Sequence, residues 1–225
     1  MSIVYKTRTQ LVVETIREKI LCGDIQAGQP LRQAALAQEL NVSRIPIREA
    51  LLQLEGEGLV TFEAHKGATA TELTIDQVDE LFDLRAMLEV ELLKASIPHL
   101  TENNIVDAKI ILAELDNALS ADNGANTWSD LNVRYHSCLY SGAVKPQTQE
   151  LVNTLSKNTN RYIRMHLLLV GGIANVEVEH TTLLSLCQDG DIDGAASLLK
   201  QHILGIKNEI KHFLQQQENS LKLIS

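Results

Sequence analysis

Aromatic residues make up only 4% of this 225-residue chain, which leaves the core to be built from Leu, Ile, Val and Ala. That shortage disfavours a sandwich of aromatic-rich strands and favours helices. Long apolar runs are missing too: no stretch approaches the roughly 18 consecutive apolar residues of a membrane span. The first residues, MSIVYKTRTQ, lack the apolar segment and cleavage site of a secretory signal. Cysteine is scarce: Cys22, Cys138 and Cys187 lie far apart, odd in number and without a CxxC pair. Reduced thiols, a cytoplasmic location and no membrane partner are the expectation.

Positive charge is also in deficit, but unevenly. The formal net charge is −9, yet residues 1–70 hold eight basic and eight acidic residues, so the whole excess lies beyond them. Two parts with different partners would produce that asymmetry. The pattern of apolar residues divides the chain at the same place, predicting domains at 1–72 and 73–225. The first part reads as three helices and a small β-hairpin. A helix from about Thr9 to Cys22 turns Leu11, Val12, Ile16 and Ile20 inward, "RQAALAQEL" forms a short second helix, and "LVTFEAHKGATATEL" alternates and breaks at Lys66-Gly67. The second part reads as six antiparallel helices joined by short loops. Thr74 and Asp76 stand at the first start, Pro146 opens the fourth helix and Gly171-Gly172 closes it. The fold class is therefore mainly α, a winged helix-turn-helix followed by an antiparallel all-helical bundle.

The third helix carries the first candidate site. In "NVSRIPIREALLQLEGEGLV", Ser43 is placed to cap the helix and Pro46 falls in its first turn, where a missing N–H costs nothing. Ile47, Ala50, Leu51 and Leu54 form one inward stripe, with Arg44 and Arg48 a turn apart on a flank. A stiff helix start bearing two arginines suits entry into a DNA major groove. The N–H groups and dipole meet phosphate, while guanidinium forks match guanine edges. An amphipathic helix with solvated arginines is the plainer alternative. The order of helix, tight turn, helix and hairpin favours double-stranded DNA.

A second constellation comes from counting. His180 and His202 each lie 11 residues from Asp191, the centre of the turn between the last two helices. At 1.5 Å per residue both sit roughly 16 Å from that turn, side by side in an antiparallel hairpin. His136 has Asn132 one helical turn before it. Three imidazoles and an oxygen donor suit a divalent metal ion, zinc or nickel foremost. Taken singly, each histidine also fits a hydrogen-bonded core position. His65, His99, His166 and His212 have no such partners in the pattern, and Arg161 and Arg164 read as a solvated face. Asp130, six residues from His136, falls on another face.

Residues 9–72 resemble the winged-helix domain of the GntR family through "LAQELNVSRIPIREALLQLEGEGLV". The resemblance implies DNA contacts from Ser43, Arg44, Ile45, Pro46 and Arg48, with the wing contributing His65, Lys66 and Gly67. The family usually places an arginine at the position of Ala34; here Arg32, two residues away, is the nearest basic candidate. Residues 73–215 resemble the FCD ligand-binding domain of the FadR subfamily through "LFDLRAMLEVELLKAS", "LNVRYHSCLYSGA" and "EVEHTTLLSLCQDGDIDGAASLLKQHI". It implies metal ligation by His136, His180 and His202, with Asn132 where many members have aspartate. It also implies an effector contact from Arg85, whose alternative is an ion pair with Glu89 at i+4. A guanidinium beside a divalent cation would bind a small carboxylate. The function expected is a ligand-responsive bacterial transcriptional regulator, a repressor acting on operator DNA as a homodimer. The alternatives are a regulator whose effector is the ion itself, and a metal-dependent enzyme, for which no HExxH, HxH or GxSxG is present.

Overall fold

The computed structural model describes residues 7–21, 24–26, 28–63, 67–71, 74–118, 124–173 and 175–222, with 21 and 217–222 as backbone alone. The chain divides into two compact units, one ending at Leu73 and the next beginning at Thr74.

The first unit contains α1 (Arg8–Leu21), α2 (Gln33–Glu39), α3 (Arg44–Gly56), β1 (Val60–Glu63) and β2 (Gly67–Ala70). Val12, Val13 and Ile16 of α1 bury against α3, whose Ile47, Ala50, Leu51 and Leu54 are fully enclosed. Leu11, expected inward, is half exposed at 51%. Five residues of helix put it about 140° from Ile16, outside the face that Val12 and Val13 already complete. Between α2 and α3 the chain reverses at Asn41, whose φ of 52° is a left-handed conformation that asparagine tolerates. Gly58, at φ 78°, closes α3 in a Schellman arrangement. There the Leu59 N–H donates to Leu54 O and the Gly58 N–H to Glu55 O. The strands pair antiparallel from Val60↔Ala70 to Glu63↔Gly67.

Every regular element described in the second unit is a helix: α4 (Ile75–Ser96) with a 3-10 turn at Ile97–His99, α5 (Glu102–Ala118), α6 (Gly124–Tyr140), α7 (Pro146–Val170), α8 (Val176–Asp189) and α9 (Ile192–Lys222). Thr74 caps α4 by accepting the Gln77 N–H at 3.2 Å. Pro146 opens α7 and Gly171, at φ 86°, ends it. Asp191 accepts the Gly194 N–H in the first turn of α9. α4 packs on α6, α7 and α9, α5 on α6 and α8, and α8 on α9, so the core lies among them all. Gly142 closes the end of α6 against α4, where a Cβ would come within 2.5 Å of the Ser96 carbonyl oxygen. No described helix is long and apolar enough to cross a membrane.

Candidate metal centre and nucleic-acid interface

On α3 the apolar stripe is buried, so the opposite flank must face water. Arg44 and Arg48 are exposed and make no ion pair among the described residues. Ser43 occupies the N-cap position in extended conformation, but its hydroxyl makes no capping hydrogen bond, contrary to the role its position suggests. Ile45 is 70% exposed, an isolated apolar side chain at the helix start. Pro46 is half-buried beside it, and Arg32, exposed, stands at the N-cap of α2. Gly67 begins β2 with a φ of 80°, while His65 and Lys66 lie outside the described residues.

In the second unit, α6, α8 and α9 bring three imidazoles into one buried cluster. The ring centroids are 4.7 Å apart for His180 and His202, 5.2 Å for His136 and His180, and 5.4 Å for His136 and His202. One nitrogen of each ring lies within 4.8 Å of the others. Asn132, a turn before His136, is buried with them. The Nε2 atoms of His136, His180 and His202 and the Oδ1 of Asn132 are all enclosed without a hydrogen-bond partner. Burial in the first place, then the neighbouring imidazoles and, for His136, Arg85, hold the pKa of His136 and His180 well below the ordinary value. Both rings are therefore neutral and carry a lone pair. Neutral imidazole lone pairs and an amide oxygen, enclosed and unpaired, are the donor chemistry that a divalent cation takes.

The outer nitrogens are held in turn. His202 Nδ1 lies 2.7 Å from Glu179 Oε2, which fixes its proton there and its lone pair at Nε2. His136 Nδ1 lies 3.4 Å from the Tyr140 hydroxyl, which itself donates to Glu89 Oε2 at 2.7 Å. The Tyr135 hydroxyl donates to the His180 carbonyl oxygen at 2.7 Å. Arg85 is buried, with Nε donating to Glu89 Oε1 at 2.5 Å and Nη1 to Thr159 Oγ1 at 3.1 Å. Burial works against its charge, but Glu89 more than compensates and the guanidinium pKa is raised. Among the described residues nothing bonds its Nη2. A pocket of about 370 Å³ adjoins His180, lined among others by Trp128, Leu167 and Ile173, with Asp116 and Glu177 also on its wall.

Four partners were not visible to sequence reasoning: Glu179, Tyr140, Glu89 in its bridging role, and Thr159. Tyr140 alone left a signal, standing one helical turn after His136. His166 is buried, with Nε2 3.4 Å from Glu209, while His99 and His212 are exposed. Arg161 and Arg164 are not a solvated face: Arg161 reaches Gln77 of α4, and Arg164 pairs with Asp130 of α6 at 2.6 Å. Asp130, exposed and paired with Arg164, is not part of the imidazole cluster.

A helix-turn-helix with a hairpin wing, joined to a helical unit that encloses a polar cluster, is the architecture of a transcriptional regulator with a sensory domain. Residues 8–69 match the model of the bacterial regulatory proteins of the gntR family, and residues 80–205 match the FCD domain. The chain belongs to the GntR family, with the FCD architecture of the FadR subfamily. It is similar to the Nta operon transcriptional regulator of Aminobacter aminovorans, 30% identical over 189 residues that cover 84% of each chain. It is also similar to the HTH-type transcriptional repressor GlaR of Escherichia coli, 24% identical over 84% of this chain and 89% of that one. A crystal structure of a GntR family member from Pseudomonas syringae pv. tomato superposes with a TM-score of 0.57 at 28% identity, covering 94% of this chain and 88% of that one. The family and these relatives are regulators of transcription, not enzymes.

Proposed function

We propose that the protein is a repressor that binds operator DNA as a homodimer in the cytoplasm. In this reading it senses a small carboxylate through a divalent ion, zinc or nickel, held by Asn132, His136, His180 and His202. The observation that carries the reading is the convergence of three buried imidazoles whose Nε2 atoms have no partner, with the unpartnered amide oxygen of Asn132 buried one helical turn before His136. Leaving such atoms unsatisfied costs about 1–3 kcal/mol each, which a bound cation would relieve. The ion would supply a Lewis-acid contact for a carboxylate oxygen. The chain's own residues do the rest: Glu179 and Tyr140 orient two of the imidazoles, and the Nη2 of Arg85 is available to a second carboxylate oxygen.

At the DNA, Ser43 and the first-turn N–H groups of α3 would meet phosphate. Arg44 and Arg48 would read base edges, with Ile45 and Pro46 packing alongside. Arg32 and the wing residues His65, Lys66 and Gly67 would add backbone contacts. Two copies related by a two-fold axis double the short site one recognition helix can read. Effector binding would weaken operator affinity by a coupling of about 1–3 kcal/mol.

A second reading, with the ion itself as effector, draws on the fact that Glu89 already supplies Arg85 with a carboxylate. Metal content measured by mass spectrometry, on untagged protein never exposed to chelator, tests the common core of both. Near-stoichiometric metal in the native chain, lost in a His180→Ala/His202→Ala variant, is the expected result. Absence of metal from both, even after zinc and nickel are offered, would sink the proposal. An Arg85→Ala variant that keeps metal and still releases DNA in response to the native protein's acid would remove Arg85 from the carboxylate site, whereas release of DNA on metal alone, with no acid present, would favour the ion-only reading.

A further inference from the structure

The donor set is unusual in one respect: it holds no charge. Among the described residues no Asp or Glu oxygen belongs to the cluster formed by His136, His180 and His202, and the remaining enclosed donor is the Asn132 amide. Two carboxylates lie close, but neither supplies a direct negative ligand. Glu89 is shared between Arg85 and Tyr140. Glu179 stands behind His202, on the far nitrogen, and is 30% exposed. A dication enclosed by four neutral donors keeps its charge in a medium of low dielectric, which is costly without a counter-anion. A site of this kind gains affinity for its cation when an anion enters with it.

We infer that this chain binds its metal and its carboxylate as one unit, each more tightly when the other is present, so that it reports the coincidence of a divalent cation and a small organic acid. The inference rests on the reading that the cluster holds a divalent ion, and it assigns a specific role to Asn132. An aspartate there would supply the missing charge from within and uncouple the two ligands. By linkage, whatever factor the acid adds to the affinity for the metal, the metal adds to the affinity for the acid.

The test titrates the full metal-free chain with zinc chloride, in competition with a colorimetric zinc indicator. It does so without added acid and with acetate or glycolate in excess, the indicator alone correcting for zinc held by the acid in solution. The native chain should bind zinc at least about fivefold more tightly when the acid is present. Asn132→Asp should bind zinc more tightly than the native chain without acid, and should gain little from it. Asn132→Ala, neutral like the native residue, should keep the dependence. Equal zinc affinity of the native chain with and without either acid overturns the inference and leaves the metal site standing. No zinc uptake under any condition overturns the metal reading and the inference together.

Discussion

In the N-terminal unit the arginines of α3 stand in water and the buried charge is fully occupied, whereas in the helical unit exposed and enclosed groups exchange these roles. Glu57, 1% exposed, receives Arg17 Nε and Nη2 at 2.9 and 2.7 Å and Gln53 Nε2 at 3.3 Å. Arg44 and Arg48 meanwhile point away from a core closed by Leu51 and Leu54. At the centre of the helical unit the unsatisfied atoms lie inside, on His136, His180, His202 and Asn132. Water serves an exposed guanidinium at no cost, so a DNA-reading face can wait for its partner indefinitely. A buried lone pair has no such substitute. The first surface is thus complete without a ligand, and the second site would gain stability from one.

Acid should part the two units most widely. His136 and His180 are held well below the ordinary imidazole value of 6.5. As pH falls through that value, the unfolded chain takes up protons that the folded helical unit refuses, so stability is lost progressively until the depressed folded values are reached. The single tryptophan, Trp128, lies 6.4 Å from the His180 ring and reports on this unit alone. In metal-free protein, the urea midpoint followed by its fluorescence should drop on acidification across 6.5. A flat profile there would contradict neutral buried rings.

A smaller effect, confined to the other unit, is expected from Arg44→Ala/Arg48→Ala. If these two side chains read bases as proposed, their loss should weaken binding to a duplex selected by the native protein by about 2–6 kcal/mol, measured by fluorescence anisotropy. Metal content should not change. Undiminished affinity would mean that α3 is not the reading helix. The smallest contrast concerns two residues at equivalent helix starts. Thr74→Ala removes a real cap and should cost about 1 kcal/mol, while Ser43→Ala removes none and should cost under about 0.5 kcal/mol. Equal losses in urea unfolding would erase the distinction between a hydroxyl that caps and one that does not.

Much of this arrangement can be read from the sequence because it depends on local rules. Pro146 and Gly171 bracket α7 through backbone chemistry that neighbours do not alter. The buried set Ile47, Ala50, Leu51 and Leu54 follows from helical period. The meeting of His180 and His202 follows from equal distances to a turn. What the sequence hides depends on choices between partners. Leu11 and Val12 are equally apolar, and only the position of α3 decides which is buried. Glu177 and Glu179 are chemically equivalent and two residues apart, and the rotation of α8 against α9 gives His202 to Glu179. Ser43 sits at a capping position, yet its rotamer is not written in the chain. The hydroxyl of Tyr140 and the carboxylate of Glu89 lie 51 residues apart in sequence, beyond the reach of any spacing rule.

α4 has a mechanical consequence. It is the first element of the helical unit, beginning beside Thr74, and it carries both Arg85 and Glu89 on one uninterrupted 22-residue rod. Helices resist bending far more than they resist tilting as a whole. From Arg85 back to Ile75 is ten residues, roughly 15 Å of axis, so a tilt of about 10° pivoting at the guanidinium would swing the start of the rod by about 2.6 Å. Asp79 pairs with both Lys207 and Lys211 of α9, and Asp83 with Lys207, ion pairs that would oppose such a swing. If effector binding tilts this rod, the displacement of its first residues is set by the length of one helix, and the resistance by three ion pairs at the surface.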